Sequence, residues 1–132
     1  MTQNPDEFFQ SVISDPDQPV VLFALEWCEF CWSVSKLFRQ LDLSFRTINL
    51  DSAEYQENDF GSKVRAILST HTGAPTIPQI FIGGKYLGGA TDTFDAYKQG
   101  VLQSELIQAG IDFKDVQGLD PYHLHSSGRH PI

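Results

Sequence analysis

Hydrophobic and polar positions along the chain predict alternating strands and helices. Residues 20–25 form a continuous apolar run of strand length, which is typical of a strand covered on both faces. Residues 45–50 alternate apolar and polar side chains and predict a second strand. Segments 79–82 and 85–88, joined by Gly83-Gly84, predict a β-hairpin.

Apolar residues at helical spacing predict four helices around these strands. Asn4 or Asp6 is expected to cap the first helix, and Thr91 or Asp92 the last. A helix between the first two strands makes them parallel, so the order of elements indicates an α/β fold. The helices are expected at about 6–13, 28–41, 59–69 and 93–108.

A length of 132 residues, with 41% hydrophobic and 20% charged residues, is typical of a single globular domain with a sizeable core. The domain is expected at residues 1–110. The C-terminal extension, 111–132, is expected to be loosely held, because apolar density falls beyond Gly110. We see neither a signal peptide nor a membrane span, and therefore expect a cytoplasmic protein that does not bind membranes.

The net charge of −8 disfavours nucleic acid as a partner, because its phosphates would be repelled at long range. An anionic small substrate would need a local basic group to draw it in against this field.

Both cysteines of the chain lie in the segment Trp27-Cys28-Glu29-Phe30-Cys31, directly after the first predicted strand. A pair with this spacing can close a disulfide within one helical turn, which favours dithiol–disulfide chemistry. Two alternatives stay open: the pair could supply half of a zinc site, or both residues could be ordinary buried thiols. The histidines that could complete a zinc site are His71, His123, His125 and His130.

Cys28 is expected at the start of a helix, where unpaired N–H groups and the helix dipole stabilise a thiolate. It also follows the carboxyl end of a strand, where α/β sheets place their ligand crevices. Cys28 is therefore expected to be the nucleophile, and Cys31, one turn further along the helix, the resolving thiol.

Two other motifs have both a structural and a functional interpretation. In Thr76-Ile77-Pro78, proline suits the start of a strand. If its peptide bond is cis, the backbone of Ile77 becomes an edge that can pair with an extended, peptide-like substrate. In the segment 88–92, two glycines suit a turn before a helix, and the N–H groups there can also bind a carboxylate.

Together, WCEFC, TIPQIFI and GGKYLGGATD (residues 27–31, 76–82 and 83–92) resemble the motifs of glutaredoxins, which belong to the thioredoxin superfamily. The resemblance extends over about residues 20–106. It implies a thioredoxin-like fold, with a four-stranded mixed sheet flanked by helices and a cis-Pro78. It also implies a glutathione-disulfide oxidoreductase that reduces protein or glutathione mixed disulfides, with glutathione as co-substrate.

By this resemblance, Cys28 corresponds to the family's nucleophile and Cys31 to its resolving cysteine. The backbone at Ile77 and Pro78 corresponds to the segment that pairs with the cysteinyl unit of glutathione. Three positions of the last motif hold the γ-glutamyl end, and a basic residue of the third predicted helix faces the glycine carboxylate. The glutathione-binding residues so implied are Arg65, Ile77, Pro78, Gly89, Thr91 and Asp92.

Several positions near the cysteines depart from the family pattern. Leu25 stands where glutaredoxins commonly have a lysine, so one anchor for the glutathione carboxylate is missing. Glu29 replaces the usual proline and, with Glu26, is expected to disfavour the Cys28 thiolate by like-charge repulsion. Phe30 replaces the usual tyrosine.

Some relatives of this family carry a [2Fe-2S] cluster between two protomers, held by the first cysteine and glutathione. Trp27 and Glu29 are changes that favour this alternative, in which Cys28 would be the iron ligand. A reductase supplied by a flavoenzyme is a third alternative, against which Arg65 and the segment 88–92 argue. The expected partners are glutathione and glutathionylated or disulfide-bonded proteins, and the expected state is a monomer.

Overall fold

The computed structural model describes residues 4–116 and 118–121. The strands are β1 (Val20–Ala24), β2 (Arg46–Asn49), β3 (Gln79–Ile82) and β4 (Lys85–Gly88). The helices are α1 (Pro5–Ile13), α2 (Glu29–Gln40), α3 (Phe60–Thr72), α4 (Ala90–Gln99) and α5 (Val101–Gln108). Two short 3-10 turns, Ala53–Tyr55 and Glu57–Asp59, precede α3. No helix in this part of the chain combines the length and apolar character needed to cross a membrane.

The strands form one mixed sheet in the order β2-β1-β3-β4. β1 pairs parallel with β2 and antiparallel with β3, and β3 pairs antiparallel with β4. Helix α2 connects the two parallel strands, as a parallel pair requires. The predicted four-stranded mixed sheet flanked by helices is therefore confirmed.

Helices cover both faces of the sheet. On one face, Leu22 and Ile80 pack in a core shared with α2, α4 and α5. On the other face, Phe23 and Phe81 pack against α1 and α3. Because β1 and β3 are buried on both sides, their sequences are almost entirely apolar rather than alternating.

The prediction of a single last helix over residues 93–108 is wrong. Two helices, α4 and α5, meet at Gly100, which has a φ of +81°. This left-handed conformation favours glycine and ends α4, and α5 then begins and buries Leu102 and Leu106 completely.

Several of the described residues beyond α5 pack against the rest of the domain. The N–H of Lys114 donates to the carbonyl of Leu41 at 2.6 Å, and the hydroxyl of Tyr97 donates to the carbonyl of Val116. The expectation of a loosely held extension is therefore wrong for residues 111–116 and for Leu119, whereas the domain boundary at residue 110 stays a prediction. The partly buried residues of this segment that contact the core are Ile111, Phe113, Val116 and Leu119.

Candidate active site

Four strand ends meet at one edge of the sheet and carry the candidate site. In the strand register, Ala24 lies opposite Asn49, Phe23 opposite Gln79, and Ile80 opposite Gly88. The carboxyl ends of β1, β2 and β4 and the amino end of β3 therefore share this edge. Such an edge is where open α/β sheets bind their ligands.

Cys28 is the N-cap of α2, with extended backbone angles. Its sulfur accepts a hydrogen bond from the backbone N–H of Cys31 at 3.2 Å. The two sulfurs are joined in a disulfide, with the Cα atoms 5.2 Å apart. Cys28 is partly exposed and Cys31 is only 2% exposed. The pair is thus a disulfide whose first cysteine is accessible, and not two ordinary buried thiols.

The loop before Cys28 is held by two hydrogen bonds. The carboxylate of Asp51, just after β2, accepts the N–H of Glu26 at 2.9 Å. The indole N–H of Trp32, in the first turn of α2, donates to the carbonyl of Glu26 at 3.0 Å. Sequence reasoning did not find this role of Asp51, because its partner Glu26 lies 25 residues away, on the connection that follows another strand.

Ile77 and Pro78 precede β3 at the same edge, and the peptide bond between them is cis, as the family resemblance implied. Pro78 is buried and Ile77 partly exposed. The backbone of Ile77 makes no hydrogen bond with any residue that the structure describes. It is therefore available to a ligand with a peptide-like backbone.

Gln79 fixes the loop that leads to Ile77, and sequence reasoning missed it. Its side chain is 1% exposed and donates to the carbonyls of Ala74 at 2.7 Å and Thr76 at 3.2 Å. Its amide oxygen accepts the hydroxyl of Thr72, at the end of α3, at 3.2 Å. The signal in the sequence is one polar side chain inside an otherwise apolar strand.

The start of α4 forms a turn beside Pro78. Gly89, not Thr91 or Asp92, is the N-cap of this helix, which corrects the predicted cap. The carboxylate of Asp92 accepts the N–H of Gly89 at 3.0 Å. The N–H groups of Ala90 and Thr91 belong to the first turn and have no acceptor within the helix, so they can bind an anion.

Burial, with a smaller contribution from the nearby carboxylate of Asp92, raises the pKa of Tyr86 above its ordinary value. A hydrogen bond with Thr72 acts weakly in the opposite direction. Tyr86 is therefore a neutral hydroxyl beside the start of α4 at physiological pH.

Arg65, on α3, lines a cavity of about 120 Å³ together with Leu25 and Asp51. Its side chain is exposed and forms no hydrogen bond or ion pair within residues 4–116 and 118–121. Asp51 and Asp59 also line this cavity, so it contains two carboxylates and the positive charge of Arg65. An anionic group of a ligand in this cavity would form an ion pair with Arg65.

The structure thus brings the predicted site residues to one edge of the sheet, although their binding roles stay predictions. His71 packs against Phe9, with ring centroids 5.0 Å apart, on the face of the sheet opposite Cys31. His71 is therefore not placed to complete a zinc site with the cysteines. Within the described ranges, no group of three or more His, Cys, Asp or Glu residues could hold a metal ion. Three histidines lie outside those ranges: His123, His125 and His130.

Comparisons with known proteins agree with this geometry. A family model described as Glutaredoxin matches residues 20–87. Glutaredoxin-C6 of Oryza sativa subsp. japonica is 41% identical over 92 residues, covering 70% of this chain and 78% of that protein. Glutaredoxin-2, mitochondrial, of Pongo abelii is 37% identical over 98 residues, covering 74% of this chain and 56% of that protein.

A solved structure shows the same arrangement of elements. The buckwheat glutaredoxin-glutathione complex superimposes with a TM-score of 0.69 at 35% identity, covering 80% of this chain and 89% of that chain. The thioredoxin-like fold implied by the motifs is thereby confirmed. The chain belongs to the glutaredoxin family of thiol-disulfide oxidoreductases.

Proposed function

We propose that this chain is a glutathione-dependent oxidoreductase that reduces protein or glutathione mixed disulfides, with Cys28 as nucleophile and Cys31 as resolving thiol. The observation that carries the proposal is the unequal exposure of the two bonded cysteines: Cys28 is partly exposed and Cys31 is 2% exposed. A disulfide from solution can therefore meet Cys28, whereas Cys31 can act only on what is already bound to Cys28.

The N-cap position of Cys28 supports its role as nucleophile. In the reduced protein, a thiolate here would accept the N–H of Cys31 and lie at the positive end of the α2 dipole. The exposed carboxylates of Glu26 and Glu29 oppose this effect, although water and salt screen exposed charges.

The proposed reaction exchanges one sulfur–sulfur bond for another at each step. The Cys28 thiolate attacks the glutathione sulfur of a protein mixed disulfide, and the protein thiolate leaves and takes up a proton. A second glutathione thiolate then attacks the sulfur bound to Cys28 and releases oxidised glutathione with the Cys28 thiolate. For a disulfide within a protein, the Cys28 thiolate attacks one of its two sulfurs, and the other leaves as a thiolate. Cys31 then attacks the Cys28 sulfur of this mixed disulfide, which closes the Cys28–Cys31 disulfide and releases the second substrate thiolate. Two glutathione molecules reduce the Cys28–Cys31 disulfide and leave as oxidised glutathione.

The proposed glutathione site follows the shared edge of the sheet. The unpaired backbone of Ile77, next to Pro78, would bond to the cysteinyl unit. The start of α4, from Gly89 through Thr91 to Asp92, would bind the γ-glutamyl end, with N–H groups for its carboxylate and the Asp92 side chain for its ammonium. Arg65 would pair with the glycine carboxylate. A structurally similar relative is a glutaredoxin-glutathione complex, which supports this arrangement.

Two serine variants test the assignment of the cysteines. Cys31→Ser should retain turnover of a glutathione mixed disulfide, because a second glutathione can replace the resolving thiol. Cys28→Ser should abolish it. Activity retained in the Cys28 variant would contradict the proposal, and activity with a flavoenzyme donor but none with glutathione would favour the thioredoxin-type alternative.

A carrier of a [2Fe-2S] cluster is the second candidate function. The residues present offer one accessible sulfur per chain, that of Cys28, because Cys31 is buried. Four thiolate ligands would therefore require two chains and two glutathione molecules. Glu29 at the first position of α2, where the family commonly has proline, is the observation that favours this candidate. A coloured dimer after anaerobic purification would support it, and a colourless monomer the oxidoreductase.

The proposal also includes a monomeric protein in the cytoplasm that acts on glutathionylated or disulfide-bonded proteins. The similar Glutaredoxin-2 of Pongo abelii is named as mitochondrial, so cell fractionation is the direct test of the compartment. Light scattering of the reduced protein, with and without glutathione, tests the oligomeric state.

A further inference from the structure

The four side chains that flank Cys28 in sequence, two on each side, form a surface that the proposed glutathione site does not use. We call it the acidic aromatic rim and define it as Glu26, Trp27, Glu29 and Phe30. Trp27 is 70% exposed and Phe30 44% exposed, which is unusual for large hydrophobic side chains. Both carboxylates are exposed as well.

The rim is held in place rather than loosely attached. The rings of Trp27 and Trp32 meet edge to face, with centroids 5.9 Å apart. Trp32 is itself fixed by its hydrogen bond to the carbonyl of Glu26, and Phe30 lies within α2. A ligand that contacts these rings therefore has little side-chain entropy to overcome.

The charges of the rim select the kind of partner. Glu26 and Glu29 lie on either side of Cys28 in sequence, in a chain with a net charge of −8. A cationic side chain can pair with these carboxylates and also lie over the face of Trp27 or Phe30. An anionic segment would be repelled, and a purely apolar one would leave both carboxylates without a counter-charge.

We propose that the acidic aromatic rim binds cationic segments of protein substrates, so that mixed disulfides on cysteines flanked by arginine or lysine are reduced preferentially. This inference rests on the proposed function of Cys28. Arg65 lies in the separate cavity lined by Leu25. In this proposal Arg65 therefore pairs with glutathione, and the rim contacts the protein that is joined to glutathione by the mixed disulfide.

Two synthetic peptides provide the probe. Each contains one cysteine glutathionylated through a disulfide, with arginines on both sides in one peptide and glutamates in the other. The measured quantity is the ratio of their kcat/KM values, because changes in the reactivity of Cys28 itself cancel in that ratio. In low salt we expect the arginine peptide to be preferred about tenfold or more, and added salt to shrink this preference.

Variants locate the source of the preference. The double variant Glu26→Gln/Glu29→Gln and the single variant Trp27→Ala should each reduce the ratio at least about threefold. The matched control is Asp17→Asn/Asp112→Asn, which removes the same charge from exposed positions outside the site. Its ratio should stay that of the wild type, since the effect comes from the rim and not from net charge.

The glutathione mixed disulfide of 2-mercaptoethanol, which has no charged flanking residues, separates this inference from the proposed function. If the protein turns over this small disulfide but has equal kcat/KM values for the two peptides, only the inference is overturned and the proposed function stands. An equal decrease of the kcat/KM ratio in the rim variants and in the matched control would also overturn it. Absence of turnover for all three mixed disulfides would overturn the proposed function and the inference with it.

Discussion

Gly89 lies directly against Pro78: a Cβ added to Gly89 would come within 3.4 Å of the carbonyl oxygen of Pro78. This contact joins the start of α4 to the segment that precedes β3. The segment at Ile77 and Pro78 and the start of α4, two parts of the proposed glutathione site, therefore adjoin in the fold. Gly89, at the point where they meet, has no side chain.

Replacing Gly89 by alanine should weaken glutathione binding with little loss of stability. Its φ of −90° is open to alanine, and the new contact is tight but tolerable, so the free energy of unfolding should change by less than about 1 kcal/mol. The added methyl group narrows the space next to Pro78, so KM for glutathione should rise about threefold to tenfold. Steady-state kinetics and urea unfolding measure the two effects.

The neighbouring glycine supplies the control. Gly88 has a φ of +140°, and a Cβ there would lie 2.5 Å from the Cβ of Asp92. Gly88→Ala should therefore lose about 2 kcal/mol or more of stability. If both alanine variants were destabilised alike, Gly89 would be a structural residue and its proposed binding role would be wrong.

Replacing Glu29 by proline should make Cys28 more reactive at neutral pH. Glu29 is the first residue of α2, where proline fits because that N–H has no partner within the helix. Loss of the exposed carboxylate should lower the pH midpoint of Cys28 alkylation, by less than about one unit because exposed charges are screened. Alkylation rates against pH in the Cys31→Ser background measure the midpoint.

Glu29→Gln is the matched variant, because it removes the charge and leaves the backbone unchanged. If the pH midpoint of Cys28 alkylation falls in both Glu29→Pro and Glu29→Gln, the lost charge is the cause. A midpoint that stays at the wild-type value in both would show that the carboxylate does not influence the thiolate.

Replacing Leu25 by lysine should improve glutathione binding. Leu25 lines the same cavity as Arg65, so a lysine there adds a second cation for the glycine carboxylate. KM for glutathione should fall about twofold to fivefold, the range of an exposed ion pair, and the gain should diminish in high salt. Leu25→Met controls for side-chain length, and Arg65→Gln should change KM in the opposite direction. An improvement in the methionine variant would exclude charge as the cause.

Replacing Gln79 by leucine should destabilise the protein and disturb the loop before β3. The carbonyls of Ala74 and Thr76 would lose a buried donor, which costs about 2 to 4 kcal/mol in the free energy of unfolding. Urea unfolding measures the loss, and Gln99→Leu, at an exposed position of α4, is the control. Equal stabilities of the two variants would contradict a supporting role for Gln79.

Features set by local sequence could be predicted in advance. The apolar run before the cysteines predicts β1, and the spacing of Cys28 and Cys31 after it places the first cysteine at a helix start. The two glycines at 83 and 84 predict the hairpin of β3 and β4. Each of these depends on residues that are neighbours in the chain, so no knowledge of the remaining fold is needed.

Features that depend on tertiary packing were predicted wrongly or not at all. A single glycine within a helical pattern is tolerated at a cost of about 1 kcal/mol, so Gly100 did not mark a break. The burial of Leu102 and Leu106 after that break decides the outcome. The hydrogen bonds of Gln79 and the packing of the segment after α5 involve partners from other elements, which the sequence pattern does not show.

Trp27 and Trp32 are the two tryptophans of the chain, and both lie beside the Cys28–Cys31 disulfide. The tryptophan fluorescence of the protein therefore originates at its redox centre, where the disulfide quenches the emission of the adjacent indole rings. Reduction by dithiothreitol should brighten this emission, and Cys31→Ser should remove the change. The protein therefore contains its own optical indicator of redox state, which needs no added label.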